Sequence, residues 1–576
     1  MPIRNALVSL VATAPIWCAT AASLGSVLYV RADARPGGNG ASWASAMNDL
    51  QAALAAATPE SGVTAVWVAA GNYTPSANDA TVSFVMRSGL GLYGGFGGTE
   101  TSLLQRDIDA HPTVLNGDLG GDDIVGSGAY WYSNWNIVTA NSGHIVRADG
   151  TNATAVLDGF TLENGATGPS GTPAGSEFMF GGGLYCVGGS PTIRNCTFRH
   201  CLAAFATGGG MYLWNSNASV TNCRFIENYG HLADGAGLFV GGASQPVIED
   251  CLFQYNVVVA DQPDAQGGGM ATWSSLPMAV RRCDFLNNLG KTFYAGSLVP
   301  VYGGGLFSFN QPITIAECRF IGNTARLGGG LASFGATTII NCLFRDNIAV
   351  PDVGGQGAAA WLWGNSGVVS SFINSTASFN DGTEYAVHSA FSGTVQVRNS
   401  VLWGNTASNP ELAGGYKSQI GGSFNAKHSC IQHIFDPSQP GEDPIDLENL
   451  PGCTDLNPLF VSATDFHLSP GSPCIDSGKN SYVPVGVTLD LDGLLRFIDD
   501  PAAPNSGSGT PPVDMGCFER SSVPPCVPAD FDCDGDVDAA DLAVLLAAWG
   551  TGGQADLNGS GTVNAADLAM LLAAWG

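Results

Sequence analysis

One phrase recurs through the middle of the chain and constrains everything else. A cysteine is followed two residues later by phenylalanine and, three further on, by asparagine. It begins at Asn195-Cys196-Thr197-Phe198 and returns as NCRFIEN at 222, DCLFQYN at 250, RCDFLNN at 282, ECRFIGN at 317 and NCLFRDN at 341. The spacing is 24 to 35 residues, the signature of a repeat architecture. Two weaker copies carry Ser375 and Ser400 in the cysteine place, and an earlier one carries Phe160. Ahead of each cysteine lies a second phrase: GGGLY at 181, GGGMY at 208, GAGLF at 235, GGGMA at 267, GGGLF at 303 and GGGLA at 328.

Cys and Phe two residues apart point to one face of a strand, while the residues between them, such as Arg224, Asp284 and Arg319, point to the other. No helical stripe separates the phrases, so each repeat is a coil of short strands joined by turns. Coils stacked about 4.8 Å apart place every strand in register with its copies above and below. The fold expected is all-β, a right-handed parallel β-helix, read here as a single-stranded solenoid with two apolar segments per repeat. Cys196, Cys223, Cys251, Cys283, Cys318 and Cys342 then form an internal column, beside a column of Phe198, Phe225, Phe253, Phe285, Phe320 and Phe344. No histidine column accompanies the sulfurs, so stacking rather than metal binding explains them. Asn228, Asn256, Asn288, Asn323, Asn347, Asn380 and Asn405 are expected to form a turn ladder, asparagine being tolerant of left-handed backbone. Cys201 stands in the asparagine place of the first full repeat, and a pairing with Cys186 is left open.

A solenoid must cover its end coils. Residues 22–150 are expected to hold the N-terminal cap and first coils, with a helix from Trp43 to Ala57; the repeats occupy 151–420. The run from ASWASAM through VWVAAGNYTP and LYGGFGGTE to TVLNGDL is similar to the N-terminal part of many bacterial surface β-helix proteins. NPLFVSATDFHLSPGSPCIDSG, DLDGLLR and VDMGCFER within 421–520 resemble the module those proteins carry after the last coil, called choice-of-anchor Q. There Asp476, Asp490, Asp492, Asp514 and Glu519 surround Arg496, either as caps of backbone N–H groups or as a cation or sugar site.

Arg4 before an apolar run from Ala6 to Trp17, with Ala19-Thr20-Ala21 after it, reads as a signal peptide over 1–21 and places the protein outside the cell or at its surface. Trp17 before Cys18 does not fit a lipid-attachment pattern. No later segment is long and apolar enough to span a bilayer. With 49 acidic and 21 basic residues and a net charge of −28, the chain lacks the basic surface that nucleic acid requires.

After a linker at 521–528 the composition changes. PADFDCDGDVDAADLAVLLAAWG and QADLNGSGTVNAADLAMLLAAWG, offset by 26 residues, are copies of one unit. Each alternates hard oxygen ligands around a glycine turn, as an EF-hand calcium loop does. Two Ca²⁺ sites are expected in 529–576. The first uses Asp530, Asp532, Asp534, the Asp536 carbonyl, Asp538 and Asp541; the second uses Asp556, Asn558, Ser560, the Thr562 carbonyl, Asn564 and Asp567. Asp at position twelve and a single helix after each loop make this small all-α domain resemble a type I dockerin. That resemblance implies a cohesin-like partner or another surface protein. Ala539-Ala540 and Ala565-Ala566, where partner contacts of cellulosomal dockerins concentrate, depart from the usual pattern and imply a hydrophobic partner groove, self-packing of the two copies or docking on the solenoid. Cys526 and Cys533 flank the first loop and are a candidate disulfide.

No catalytic constellation is evident. Known β-helix enzymes include pectate lyases and polygalacturonases, yet Asp122-Asp123, the one adjacent acid pair near the solenoid, lies before the first clear coil and lacks their companion motifs. The reading is an extracellular β-helix tethered through its calcium module in a polysaccharide binding or degradation context. The alternatives are a polysaccharide lyase or glycoside hydrolase, and an adhesin. Trp214, Trp273, Trp361, Trp363 and Trp403 fall near coil segments, where they either line a sugar-binding groove or pack in the core.

Overall fold

A computed structural model describes residues 26–123, 141–167, 177–204, 207–260, 265–292, 301–309, 311–350, 354–409, 415–435, 450–520, 528–531, 536–551, 553 and 555–575. Among them the strands assemble into four parallel sheets of 13, 12, 11 and 8 strands, each strand pairing with its copies one coil before and one coil after. A full coil runs through all four. Leu184–Val187 belongs to the 11-stranded sheet (the glycine sheet), Thr192–Arg194 to the 13-stranded (the valine sheet), Thr197–Arg199 to the 12-stranded (the phenylalanine sheet) and Leu202–Ala204 to the 8-stranded (the turn sheet). The next coil begins at Met211–Trp214. Four strands per coil replace the two apolar segments read from the sequence. Most of the missed strands in the repeats are two to five residues long, too short to show a period.

The cysteine and phenylalanine columns are fully interior. Phe198 through Phe344 stack ring on ring, with centroids 5.0, 4.8, 4.7, 4.6 and 4.7 Å apart and planes within 9°. Each thiol donates to carbonyl oxygens, as Cys223 does to Thr221 at 3.4 Å. Ser375 and Ser400 continue the column: the Cys342 N–H donates to Ser375 Oγ at 3.0 Å and the Ser375 N–H to Ser400 Oγ at 3.1 Å. Cys186 and Cys201 are both free thiols, so no disulfide joins them.

The asparagine ladder runs unbroken. Asn256 Nδ2 donates to Phe225 O at 2.8 Å and to Asn288 Oδ1 at 2.9 Å, and the Asn256 N–H donates to the same Oδ1. The pattern repeats from Asn228 to Asn405, starts at the Cys201 N–H on Asn228 Oδ1, and ends with Asn405 on Gln419 Oε1 at 2.6 Å. The left-handed backbone falls one residue earlier than the sequence suggested. Glu227, Tyr255, Asn287, Asp346 and Phe379 have positive φ, and the ladder asparagines do not. These amides are selected for paired donor and acceptor geometry, not for a backbone conformation.

Coils begin at Ser26–Val30 and continue to Cys430–Ile431. The expected helix over Trp43–Ala57 is two shorter pieces, a 3₁₀ turn at Trp43–Ser45 and α1 at Leu50–Ala56. Met47 between them bridges to Val30, and Asp49 caps α1 by accepting the Gln51 N–H at 2.8 Å, which resets the helix start. Leu50, Ala53 and Leu54 of α1 join the core and close the N-terminal end.

The segment 450–520 does not sit only on the last coil. It runs back along the outside of the phenylalanine sheet: Arg319 pairs with Asp492 at 2.9 Å, Asn341 Nδ2 donates to Leu489 O at 2.7 Å, and Asn399 Nδ2 donates to Lys479 O at 3.0 Å. Its buried charges bond inward. Arg496 reaches Glu519 at 3.0 Å and Asn341 Oδ1 at 2.8 Å, Asp514 accepts the Asp476 and Arg520 N–H groups, and Asp490 accepts those of Asp492, Leu494 and Glu519. This is the geometry of backbone capping and ion pairing.

Candidate functional site

Alternation along the glycine sheet sends Leu184, Met211, Leu238, Met270, Leu306 and Leu331 into the core and the residue after each to the outside. The outside is aromatic. Tyr185, Tyr212 and Phe239 stack at 5.6 and 5.5 Å with planes within 9°. Two residues further along each strand stand Trp273, Phe309, Phe334 and Trp363, which form an unbroken row with Phe391, one residue past the Trp363 partner Ala390, with centroids 4.5, 5.6, 5.3 and 5.4 Å apart. Trp214 opens this row. Its indole lies over Gly241 on the next coil, where a Cβ would come within 2.6 Å of the ring, so only glycine lets the ring lie flat there. Trp214, Trp273 and Phe391 are 37, 40 and 76 % exposed.

None of the outward residues of these strands from Tyr185 to Ala390 carries a fixed charge. Arg147 stacks 5.3 Å above Tyr185 at one end. His388 stands at the other, and burial pushes its pKa down to about 4, so it is neutral at pH 7. Along one margin a bridge ladder runs Thr207, Asp234, Gln266, Tyr302, Leu327, Gln356, Glu384. Thr207 Oγ1 and Gln266 Oε1 in it have no hydrogen-bond partner. A neutral aromatic platform suits the C–H faces of a sugar chain, and its margin also carries Asp234 and Glu384. Of the five tryptophans singled out in the sequence, Trp214, Trp273, Trp361 and Trp363 share this sheet. Trp403 lies on the phenylalanine sheet and packs against the 450–520 segment. Tyr212, Phe309, Phe334 and Phe391 were missed, because a sequence does not say which of two alternating faces is outside.

Outward charges on the other faces are engaged with one another. Arg282 meets Glu249 and Asp250, each at 2.7 Å, and Glu317 at 3.8 Å; the hydrogen bonds it donates to Asp250, and further to Glu249, hold its pKa above the ordinary arginine value. Arg319 lies between Asp284 at 3.7 Å and Asp492 at 2.9 Å, with His467 Nε2 3.0 Å from Asp492. An arginine held this way is a poor general base.

The C-terminal unit is two loop-and-helix copies. Helices α2 (Ala539–Ala547) and α3 (Ala565–Ala573) pack through Leu545 and Leu571, with Ala529, Val537, Ala555 and Val563 closing the core. Asp541 and Asp567, at position twelve, are fully buried. Asp541 accepts the Phe531 and Asp538 N–H groups at 2.5 and 2.8 Å; Asp567 accepts those of Asn558 and Asn564 at 3.0 and 2.8 Å. The ninth-position side chains Asp538 and Asn564 cap the helices in return, each forming a capping box. In the second loop the Ser560 N–H donates to both Asp556 Oδ1 and Asn558 Oδ1, while Ser560 Oγ and Asn564 Nδ2 donate to Thr562 O. The oxygens of Asp556, Asn558, Ser560 and Thr562 thus gather about one turn, a set that fits a hard cation. In the first loop Asp530 is buried, and Asp536 and Asp538 are exposed. Asp532 and Asp534, the Cys526 and Cys533 pair and the 1–21 segment lie outside the described residues. Both helices expose apolar side chains at equivalent positions: Val544, Leu546 and Trp549, and Met570, Leu572 and Trp575.

The protein is a right-handed parallel β-helix. A family model described as "Right handed beta helix region" matches residues 134–261 and 182–377. Among solved structures the chain is similar to a crystal structure of pectate lyase Pel9A, at 15 % identity and a TM-score of 0.41, covering 86 % of this chain and 96 % of that one. No curated protein matches. No helix among the described residues is long and apolar enough to cross a membrane.

Proposed function

We propose that the solenoid is an extracellular polysaccharide-binding rod whose glycine-sheet face holds a neutral glycan, and that the C-terminal unit is a calcium-dependent dockerin-like tether to a surface or polysaccharide-associated assembly. The observation that carries the first part is the uncharged row in which Trp214, Trp273 and Phe391 are exposed and Phe309, Phe334 and Trp363 are half-buried. Apolar surface of this extent on a charged protein marks an interaction site, and flat rings at regular spacing favour a repeating ligand. The second part is supported by the converging oxygens of the second loop and by matching exposed apolar groups on α2 and α3, which suit a hydrophobic groove on a cohesin-like partner.

Affinity electrophoresis through gels containing a panel of neutral and acidic polysaccharides tests the first part. Retardation by a neutral glycan without release of reducing or unsaturated ends is the expected result. Appearance of new chain ends makes the protein a hydrolase or lyase instead.

A further inference from the structure

The turn after the Thr113–Asn116 strand carries a second cluster of oxygen ligands. We propose that Asp118, Asp122, Asp123 and the Asn141 carbonyl oxygen form a calcium site within the first coils, separate from the C-terminal loops. The sequence reading put Asp122-Asp123 before the first coil. The structure puts the pair inside the stack, because Thr113–Asn116 pairs with Gly71–Tyr73 on one side and Phe160–Glu163 on the other.

Carboxylate oxygens of Asp118, Asp122 and Asp123 lie within 4.8 Å of one another. Asp118 is buried and closes the turn, its Oδ1 accepting the Gly121 N–H at 2.7 Å and its Oδ2 the Asp123 N–H at 3.1 Å. Asn141 is brought in across the chain as the antiparallel bridge partner of Asp118. It is only 3 % exposed. Its Nδ2 donates one proton to Asp123 Oδ2 at 2.6 Å and the other to Asn164 O at 2.8 Å, which fixes the amide orientation. Asn141 Oδ1 is then a buried acceptor with no hydrogen bond, on an amide already in contact with the cluster. A buried oxygen in that position is incomplete without a cation or a donor.

The chemistry selects the ion. No Lys, Arg or His occurs between His111 and His144 in the sequence. The donors are all oxygen, which selects a hard cation over zinc or copper. Oxygens bound to one Ca²⁺ at 2.3–2.6 Å lie at most about 5.2 Å apart, and the cluster satisfies that limit. The place in the fold gives the ion a purpose. Through Gly165, Asp118 stacks in the column that continues as Cys201 and then the asparagine ladder, so the metal pins the turn on coils that the ladder does not reach.

Calcium titration of the full chain by calorimetry tests this. The wild type is expected to bind three ions. Asp541→Ala/Asp567→Ala is expected to retain one, and adding Asp122→Asn/Asp123→Asn removes it and abolishes the calcium-dependent rise in solenoid Tm. Asp122 is exposed, so Asp122→Asn alone is expected to weaken the remaining site at least tenfold with an unchanged far-UV spectrum. The proposal is overturned if Asp541→Ala/Asp567→Ala binds no calcium at millimolar concentration, or if its calcium survives the asparagine pair. Failure of the dockerin-like reading looks different: Asp541→Ala/Asp567→Ala would then keep the wild-type stoichiometry.

Discussion

Asn288 shows what one side chain does in this fold. Its Nδ2 holds Phe253 O and Asn323 Oδ1, and its Oδ1 receives both the N–H and the amide of Asn256. Asn288→Ala strands several buried groups at once and is expected to cost ~3–5 kcal/mol, measured by urea denaturation. Asn288→Asp should do no better, since a carboxylate faces two acceptors where the amide donated. The cysteine column is apolar filling. Outside that column, burial pushes the Cys201 thiol up to about 12 and the Cys186 thiol up to about 11, so those two thiols stay protonated. A thiol reagent is expected to leave the buried cysteines of the native solenoid unlabelled and to label them on unfolding. Both columns were legible in the sequence because side chains repeat at one position of every coil. The left-handed residues beside them were not, since Glu227, Tyr255 and Phe379 have no common chemistry.

At the scale of elements, α2 and α3 begin at residues that also belong to the loops, so a cation held there, as proposed, would couple to helix formation. Chelation of calcium is expected to remove the helical signal from far-UV circular dichroism while the β signal of the solenoid persists. Asp541→Ala should do the same for α2 even with calcium present. The 450–520 segment responds to pH in the opposite sense from an ordinary acid. Burial pushes the Asp514 carboxyl up to about 7 from its usual 3.8, so the folded chain holds a proton that the unfolded chain has released between those values. Stability from this group is fully present below pH 3.8 and is lost as pH rises through 7, by ~4 kcal/mol at most. Asp514→Asn is expected to flatten the slope of stability between pH 4 and 7 relative to wild type, read from denaturation midpoints. The backward course of this segment along the phenylalanine sheet was not legible. It depends on contacts such as Arg319 with Asp492, 173 residues apart.

For the whole molecule, the coiled architecture followed from the repeat alone. The number of sheets did not, because strands of three residues carry no periodic signal. Nor did the outward aromatic face: alternation places Tyr212 and Trp214 together opposite Leu213, but only packing decides which side is core. The Asp118 cluster escaped because Asn141 joins it across the fold. What unites the molecule is a stack of coils with an aromatic row on one sheet, followed by the loop-and-helix unit proposed as its tether. The most direct test is the affinity of the wild type and of Trp273→Ala/Trp363→Ala for the neutral polysaccharide that retards the protein most, by calorimetry. A loss of at least tenfold in the variant, with unchanged Tm, is the predicted result; equal affinity of the two proteins, or no binding of any neutral glycan by the wild type, would contradict the account.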